Sequence, residues 1–382
     1  MRTLKILGFI ILLVCLGMGG FMLSFGFLFV GKPAALLLLW PIALAILLLA
    51  GAGLFGWFSR RLLRGITAVL AACVLSGAGW WGYLAWEDSF RTVKDEVELW
   101  EYRPFGEYSK IAVLAEPATL KLTGELPRLD GATALYPLYA AFVQATYPQG
   151  DYGIWDDPVR CSKTTEAWQR LMDGKADVIF VARPSQKQLD AAKAKGLEFQ
   201  LTAIGREAFV FFVNARNPVK GLSVSQVQHI YAGQITDWRS VGGEGGAIKA
   251  FQRPEGSGSQ SMLQKIMEGK NLIAAPQADV VQGMGGIIRR AADYRNFPNA
   301  IGYSFLFFAT GMVQDDEIRL LAINGILPGR QTIRDKSYPF AADFYAVTIK
   351  GRETPQTRAL IDWVLSPQGQ ALVEKTSYVP IH

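Results

Sequence analysis

The 382-residue sequence is poor in histidine and cysteine, the side chains used most in zinc sites and nucleophilic catalysis: it has two and three of them. No closely spaced Cys and His ligands for a zinc ion are present. Cys15 and Cys73 lie in apolar stretches and Cys161 stands alone in the remainder, so that part offers no cysteine pair for a disulfide. A catalytic triad would depend on His229 or His382. His229 instead fits the last turn of a short helix, where a histidine side chain interacts favourably with the helix dipole.

Signatures of common enzymes are also missing. No P-loop motif G-x-x-x-x-G-K-[ST] occurs, and the run around Ser257 reads G-S-G-S rather than the nucleophile-elbow pattern G-x-S-x-G. The glycine-rich stretch 283–286 does not match G-x-G-x-x-G and is interpreted as a turn before a helix. We therefore expect no enzymatic activity and no cofactor.

Acidic residues are absent from the first 86 positions. The chain carries 39 basic and 33 acidic side chains, and six of the basic ones lie in this region, which leaves 33 against 33 for residues 87–382. The excess of basic over acidic side chains therefore comes entirely from the apolar segment 1–86. It is no evidence for nucleic-acid binding, which needs a basic stripe on a folded domain. The six residues are Arg2, Lys5, Lys32, Arg60, Arg61 and Arg64.

Three apolar runs, Ile6–Val30, Ala34–Phe58 and Ile66–Trp86, each reach the roughly 20 residues that cross a bilayer core. The alternative for the first run is a cleavable signal peptide. No small-residue cleavage site follows it, however, and two further runs come after it. We therefore predict a three-helix membrane anchor over residues 1–86. A juxtamembrane neck and lead-in over residues 87–124 should begin with a short helix that Pro104 ends.

The placement of basic residues predicts the orientation of these spans. Arg2 and Lys5 precede the first run, and three arginines between 60 and 64 separate the second from the third, so both groups should stay in the cytoplasm. Tryptophans and a tyrosine cluster at 80–86, where an aromatic belt would mark the outer interface. The N-terminus should therefore be cytoplasmic and the chain after residue 86 extracytoplasmic. No Asp, Glu, Lys, Arg or His lies within the runs, which favours an anchor over an ion pathway.

From about residue 125 the pattern alternates between strand-like and helix-like segments, which indicates an α/β domain. At three places small or hydroxyl residues precede an amphipathic helix: GATA at 131–134, SKTT at 162–165 and EGSGS at 255–259. Helix starts present unpaired N–H groups and the positive end of the dipole, and glycines let the backbone approach a ligand. Together these segments predict an anion pocket. Taken singly, the first two fit simple helix capping equally well.

Two arginines would add positive charge to the predicted anion pocket. Arg253 lies just before the third segment and can offer a fork of donors to an oxyanion; the alternative is a surface ion pair with Glu255. Arg183 follows a predicted strand that ends at Ala182, where open α/β sheets place ligands; the alternative is again an ion pair.

An ordered series of motifs carries a family resemblance. Residues 214–238 read NARNPVKGLSVSQVQHIYAGQITDW, followed by VGG at 241–243 and RPEGSGS at 253–259; NAIGY at 299–303 and LSPQGQALVEKTSYVP at 365–380 continue the series. The series resembles the phosphate-binding proteins of ABC importers, over about residues 125–382. The resemblance implies a PBP-like solute-binding domain with the type II periplasmic-binding-protein fold, a clamshell of two α/β lobes.

The resemblance also implies lobe boundaries and ligand residues. Lobe 1 should hold about 107–206 plus 321–382, lobe 2 about 207–320, and Ala208–Val213 should cross between them. Arg183 stands where some members carry an acidic acceptor, which implies an acceptor-poor cleft suited to a fully ionised oxyanion. The residues implied to bind the ligand are Thr133, Ala134, Ser162, Thr164, Arg183, Arg253, Ser257, Gly258 and Ser259.

The expected function is therefore a membrane-anchored, extracytoplasmic solute-binding protein for inorganic phosphate or a similar oxyanion. It would deliver the ligand to an ABC permease and its ATPase by reversible closure of the lobes. One alternative is an anchored ligand-sensing or interaction module of the same fold. An extracytoplasmic enzyme on this fold is a third reading, disfavoured because no histidine or nucleophile is suitably placed.

Overall fold

The computed structural model describes residues 2–29, 36–55, isolated positions between 59 and 79, 97–281, 283–293 and 297–381. The chain forms two compact units, Met1–Thr92 and Val93–His382. The boundary lies close to the predicted end of the anchor at residue 86.

In the described part of the first unit there are two long helices, α1 (Arg2–Phe29) and α2 (Leu36–Phe55). Lys5 Nζ donates to the carbonyl of Leu54 at 3.2 Å, so the start of α1 lies beside the end of α2. Among the described residues one segment, Thr3–Met22, is long and apolar enough to be a candidate membrane span, and a signal sequence has the same properties. The third predicted run, 66–86, lies outside the described residues apart from isolated positions. The three-span anchor therefore stays a prediction.

Of the predicted neck helix, residues 87–96 lie outside the described residues, and the part that the structure describes contains a 3-10 turn, Leu99–Tyr102. Leu99 and Tyr102 are buried against the first lobe. Their spacing of three residues brings both onto one face of a 3-10 turn, which explains the short, tight conformation. Arg103 is extended, as the ring of the following Pro104 requires.

A nine-stranded sheet runs through both lobes in the order β2-β3-β1-β4-β11-β5-β8-β7, with β9 pairing with β5. Strands β3, β1 and β4 are parallel, whereas β11 is antiparallel to β4 and β5. Two short strands, β6 and β10, pair separately. The strands are β1 (Leu129–Gly131), β2 (Trp155–Asp156), β3 (Val159–Arg160), β4 (Val178–Ala182), β5 (Phe199–Asn214), β6 (Gly221–Leu222), β7 (Lys249–Ala250), β8 (Ala300–Phe305), β9 (Ile318–Leu320), β10 (Ala322–Ile323) and β11 (Ala341–Ile349).

Strand β5 joins the two lobes. Its residues 199–208 pair with β11 in lobe 1, and residues 209–214 pair with β8 and β9 in lobe 2. The pairing partner of β5 changes from lobe 1 to lobe 2 between Ala208 and Phe209. The predicted crossing segment Ala208–Val213 lies within this strand and is fully buried, as expected for an unbroken apolar run covered on both faces.

Helices cover both faces of the sheet. In lobe 1, alternate residues of β4 face different cores: Val178 and Phe180 pack with α3, α10 and α11, and Ile179 and Val181 pack with α4. Lobe 2 packs α6, α7 and α8 around β5 and β8. The helices of this unit are α3 (Tyr136–Thr146), α4 (Lys163–Met172), α5 (Gln186–Ala194), α6 (Val224–Tyr231), α7 (Gly258–Ile266), α8 (Met284–Ala292), α9 (Arg330–Arg334), α10 (Pro355–Leu365) and α11 (Pro367–Lys375).

The lobe boundary near residue 321 differs from the prediction. Strand β10 pairs with β6 of lobe 2, and Ile333, Tyr338 and Phe340 are buried in the lobe 2 core. Residues 321–340 therefore pack with lobe 2, and the chain returns to lobe 1 at β11. The strands that hold this segment are two residues long, too short to leave a clear periodic pattern in the sequence.

Candidate functional site

All nine residues predicted to bind an anion line one cleft between the lobes, with a volume of about 1740 Å³. They come from the loops that lead into α3, α4 and α7, from the first turns of α4 and α7, and from the position directly after β4. Open α/β sheets place ligands at such strand and helix ends. The nine predicted residues that line it are Thr133, Ala134, Ser162, Thr164, Arg183, Arg253, Ser257, Gly258 and Ser259.

The first loop leads from β1 into α3 through a 3-10 turn, Thr133–Leu135. Gly131 begins it, and a Cβ atom there would lie 2.5 Å from the carbonyl oxygen of Phe180, so only glycine fits. Ala134 is 3% exposed, and its carbonyl accepts a hydrogen bond from the hydroxyl of Tyr378 in the C-terminal segment. The loop is thus fixed by the β4 strand on one side and by the chain end on the other.

The second loop is held by a buried carboxylate. Asp130 is fully buried and accepts from the Ser162 amide at 2.8 Å, the Ser162 hydroxyl at 2.7 Å and the Gly131 amide at 2.8 Å. Arg170 Nε donates to the same carboxylate at 2.8 Å. The Ser162 hydroxyl proton therefore points into the protein, so this side chain positions the loop, whereas Thr164 lies in the cleft at the start of α4.

Sequence reasoning missed Asp130 and Arg170. The signal available was an acidic residue at the end of a strand directly before the small residues of the first loop. Lys163, between the two loop hydroxyls, has a φ of 70°, a left-handed conformation that non-glycine residues adopt uncommonly. The buried charge network and this turn together determine where α4 begins.

The third loop carries the helix start that the glycine and serine pattern predicts. Ser257 caps α7, and its Oγ accepts from the Gln260 amide at 3.3 Å, which leaves the hydroxyl proton available to donate. Gly256 has a φ of 84°, a conformation that glycine adopts without strain. The Arg253 amide donates to Gln260 Oε1 and to the Tyr303 hydroxyl, both at 2.9 Å, so buried polar groups fix the start of the loop.

The two predicted arginines both reach the cleft. Arg183 Nη2 donates to the Tyr345 hydroxyl at 2.7 Å, and its guanidinium lies 5.4 Å from the centre of that ring. Arg253 lines the cleft from the opposite lobe, with Nε and Nη1 buried. Glu255 lies 3.8 Å from Lys187 of lobe 1. Two guanidinium groups therefore bring positive charge to the cleft from both lobes.

The lobes touch at the rim formed by the second and third loops. The Thr165 hydroxyl donates to the carbonyl of Gly256 at 3.0 Å. A Cβ atom at Gly258 would lie 3.2 Å from Thr164 Oγ1, so the two helix starts are in close contact. This arrangement brings both helix N-termini to the same point of the cleft.

The cleft is not poor in acceptors, contrary to what the resemblance implied. Asp343 and Glu207 also line it, from β11 and β5. Asp343 pairs with Arg206 at 2.9 Å, whereas Glu207 Oε1 accepts from the Phe307 amide at 2.7 Å. Burial raises the pKa of Glu207 to about 8. The signal in the sequence was a charged pair, Arg206 and Glu207, directly before the apolar run of the crossing strand.

The chain is similar to known proteins in both sequence and fold. Relatives include the phosphate-binding protein PstS of Bacillus subtilis strain 168, 23% identical over 266 residues, which are 68% of this chain and 82% of that protein. A Clostridium perfringens ABC transporter substrate-binding protein solved with bound phosphate superposes with a TM-score of 0.54 at 23% identity, covering 68% of this chain and all of that one. A phosphate transport receptor from Vibrio cholerae gives a TM-score of 0.51 at 19% identity, covering 67% and 99%.

These likenesses confirm the predicted α/β clamshell fold, and the relatives are binding proteins rather than enzymes, as the sequence predicted. The family model described as PBP superfamily domain matches residues 127–368, which contain all three loops and both arginines of the cleft. The chain therefore belongs to the PBP superfamily.

Proposed function

We propose that this protein binds inorganic phosphate or a similar oxyanion in the cleft between its lobes and releases it unchanged. The observation that carries the proposal is that three helix-start loops and two arginines, from both lobes, line one cleft. Relatives named as phosphate-binding proteins, and a structural neighbour solved with phosphate, support the choice of ligand.

The cleft offers the chemistry that such a ligand needs. N–H groups at the starts of α4 and α7 carry the positive ends of helix dipoles, and the hydroxyls of Thr164, Ser257 and Ser259 add donors that replace water. Arg183 and Arg253 balance the ligand charge. Because the groups are divided between lobes, the ligand favours the state in which the lobes are closed.

We further propose that the domain is extracytoplasmic and anchored by three N-terminal spans with the N-terminus in the cytoplasm. Its partners would then be an ABC permease and the ATPase that drives it. The apolar composition of Thr3–Met22 and the placement of basic residues support this topology.

Isothermal titration of the full-length chain in detergent micelles with phosphate tests the proposal. The double variant Ser257→Ala with Ser259→Ala removes two hydroxyl donors and should weaken binding by roughly tenfold or more, since a lost donor costs about 1–3 kcal/mol. Ser223→Ala is the matched control, because Ser223 caps α6 in the same way but does not line the cleft. Equal phosphate affinity in all three proteins contradicts the site assignment, and no binding to the wild type contradicts the function.

A second candidate function is ligand sensing, in which closure signals to a partner. It is favoured by the neck: residues 97–100 line the cleft, and Val97 packs against the cores of both lobes. Closure of the lobes would therefore change the contacts of residues 97–100, the segment that leads to the N-terminal unit. Phosphate uptake that is normal in cells lacking the protein, with a changed transcriptional response to phosphate, would favour sensing over transport.

A further inference from the structure

Two exposed tryptophans line the cleft. Of the five tryptophans in the described part of the second unit, three are buried, whereas Trp100 is 62% exposed and Trp155 is 59% exposed. Both of the exposed residues belong to the lining of the cleft. Large aromatic side chains that stay open to water inside a cleft are typical of a binding surface, because they offer a wide apolar face to a ligand.

Trp155 lies next to the second anion-binding loop. It belongs to β2 and is opposite Arg160 in the antiparallel ladder with β3. The amide of Cys161 donates to the carbonyl of Ile154 at 2.8 Å, so the contact between the two segments continues to the residue before Ser162. Trp155 is therefore held beside the loop that leads into α4.

The neck supplies the second tryptophan. Leu99 and Tyr102 are buried in the lobe 1 core and fix the 3-10 turn that contains Trp100. A 3-10 turn has three residues per turn, so Trp100 lies on a different face from these two and lines the cleft instead. The neck precedes residues 127–368, which the family model matches, so Trp100 is an addition to the cleft from outside that domain.

The cleft is large for an inorganic anion. Phosphate has five heavy atoms and, at roughly 30 Å³ for each atom of water size, fills on the order of 150 Å³. The cleft has a volume of about 1740 Å³, although the lobes already touch at the rim between Thr165 and Gly256. A ligand that extends beyond its phosphoryl group can therefore occupy the anion-binding loops and still contact the tryptophans.

We propose that Trp100 and Trp155, together called the tryptophan wall, form a subsite for the planar organic ring of a phosphate monoester such as a nucleoside monophosphate. This rests on the proposed function, because the phosphoryl group uses the same loops and arginines. A monoester keeps three terminal oxygens for the N–H and hydroxyl donors, and its fourth oxygen carries the organic group. The indole faces bind the ring by stacking.

Isothermal titration of the full-length chain in detergent micelles with four probes tests the inference. The probes are sodium phosphate, glycerol phosphate, adenosine monophosphate and adenosine. Stacking of a base on an aromatic side chain changes affinity by about fivefold to about 150-fold. Adenosine monophosphate should therefore bind at least about fivefold more tightly than glycerol phosphate, whose organic group has no ring. Adenosine, which lacks the phosphoryl group, should bind more weakly than adenosine monophosphate.

Variants of the tryptophan wall separate the ring from the phosphoryl group. Trp155→Ala and Trp100→Ala should each weaken adenosine monophosphate binding by about fivefold or more and change phosphate affinity by less than about twofold. Trp155→Phe keeps an aromatic ring and should restore most of the lost affinity. Tyr108→Ala is the matched control, because it removes an aromatic ring that is 85% exposed and lies outside the cleft lining.

The outcomes distinguish the subsite from the proposed function. A wild type that binds phosphate but not adenosine monophosphate, or equal adenosine monophosphate affinity in the wild type and both alanine variants, overturns the inference and leaves the function standing. If neither phosphate nor adenosine monophosphate binds, both are overturned. Adenosine monophosphate binding that depends on the tryptophan wall, without phosphate binding, keeps the subsite and overturns inorganic phosphate as the ligand. If an alanine variant does not fold, the wild-type comparison with glycerol phosphate decides.

Discussion

The burial of Glu207 has a consequence for stability that requires no ligand. The ordinary pKa of a glutamate is 4.5, and burial raises the pKa of Glu207 to about 8 in the folded domain. Folding therefore takes up a proton between these two values. The stability that the neutral carboxyl group contributes is fully present below pH 4.5 and is lost as the pH rises through 8.

The size of the effect follows from the pKa difference. Each pKa unit corresponds to about 1.36 kcal/mol, so the 3.5-unit difference corresponds to about 5 kcal/mol above pH 9 and about 3 kcal/mol at pH 7. The variant E207Q keeps a side-chain oxygen for the Phe307 amide but cannot ionise. Relative to E207Q, the wild type should lose roughly 1 kcal/mol of unfolding free energy for each pH unit between 5 and 8.

Urea unfolding of both full-length chains at pH 5, 6, 7, 8 and 9, followed by tryptophan fluorescence, measures this difference. Any constant effect of burying an amide instead of a carboxyl group cancels, because only the change of the difference with pH is used. Glu198→Gln, at a side chain that is 70% exposed and 2.9 Å from Lys350, shows the effect of losing one surface carboxylate together with its ion pair. Parallel curves for wild type and E207Q would refute the reasoning, since they would mean that folding does not change the proton affinity of Glu207.

Three further predictions concern other parts of the second unit. Asp130→Ala removes the buried acceptor of Ser162 and leaves Arg170 with Asp157 as its remaining carboxylate partner, and urea unfolding should show a loss of roughly 1–3 kcal/mol. Tyr345→Phe removes the hydroxyl that orients Arg183, so titration should show phosphate affinity lower by roughly three- to tenfold, with the fold retained in circular dichroism spectra. Val97→Asp places a charge against the cores of both lobes, and hydrogen exchange should show that phosphate no longer protects residues 97–102.

The crossing strand illustrates how much of the fold the sequence could predict. Residues 208–213 form an unbroken apolar run, and the structure buries all of them in the second half of β5. The strand begins at residue 199, however, because its first half pairs with β11 and tolerates exposed polar residues on one face. The apolar pattern of the sequence therefore identifies the part of β5 that is buried on both faces. It does not show where the strand begins, because the first half of the strand depends on its pairing with β11.

The same distinction holds in the cleft. The glycine and serine pattern before α7 is local, and the structure has a capped helix start at that point. The role of Ser162 depends on Asp130, 32 residues earlier, which binds its amide and hydroxyl only because β1 and β3 are adjacent in the sheet. A contact of this kind has no periodicity, so the sequence could not predict that the Ser162 hydroxyl donates to Asp130.

Glu207 makes contacts on both sides of the joint between the lobes, one through its backbone and one through its side chain. Its backbone lies in the ladder with β11 opposite Ala342, and the next pair but one, Phe209 with Phe305, belongs to lobe 2. Its side chain binds the amide of Phe307, just after β8. This hydrogen bond crosses the joint, so one carboxyl group both braces the lobes and faces the cleft. E207Q retains the brace and removes the charge, whereas Glu207→Ala removes both, and the contrast between them separates hinge geometry from proton chemistry.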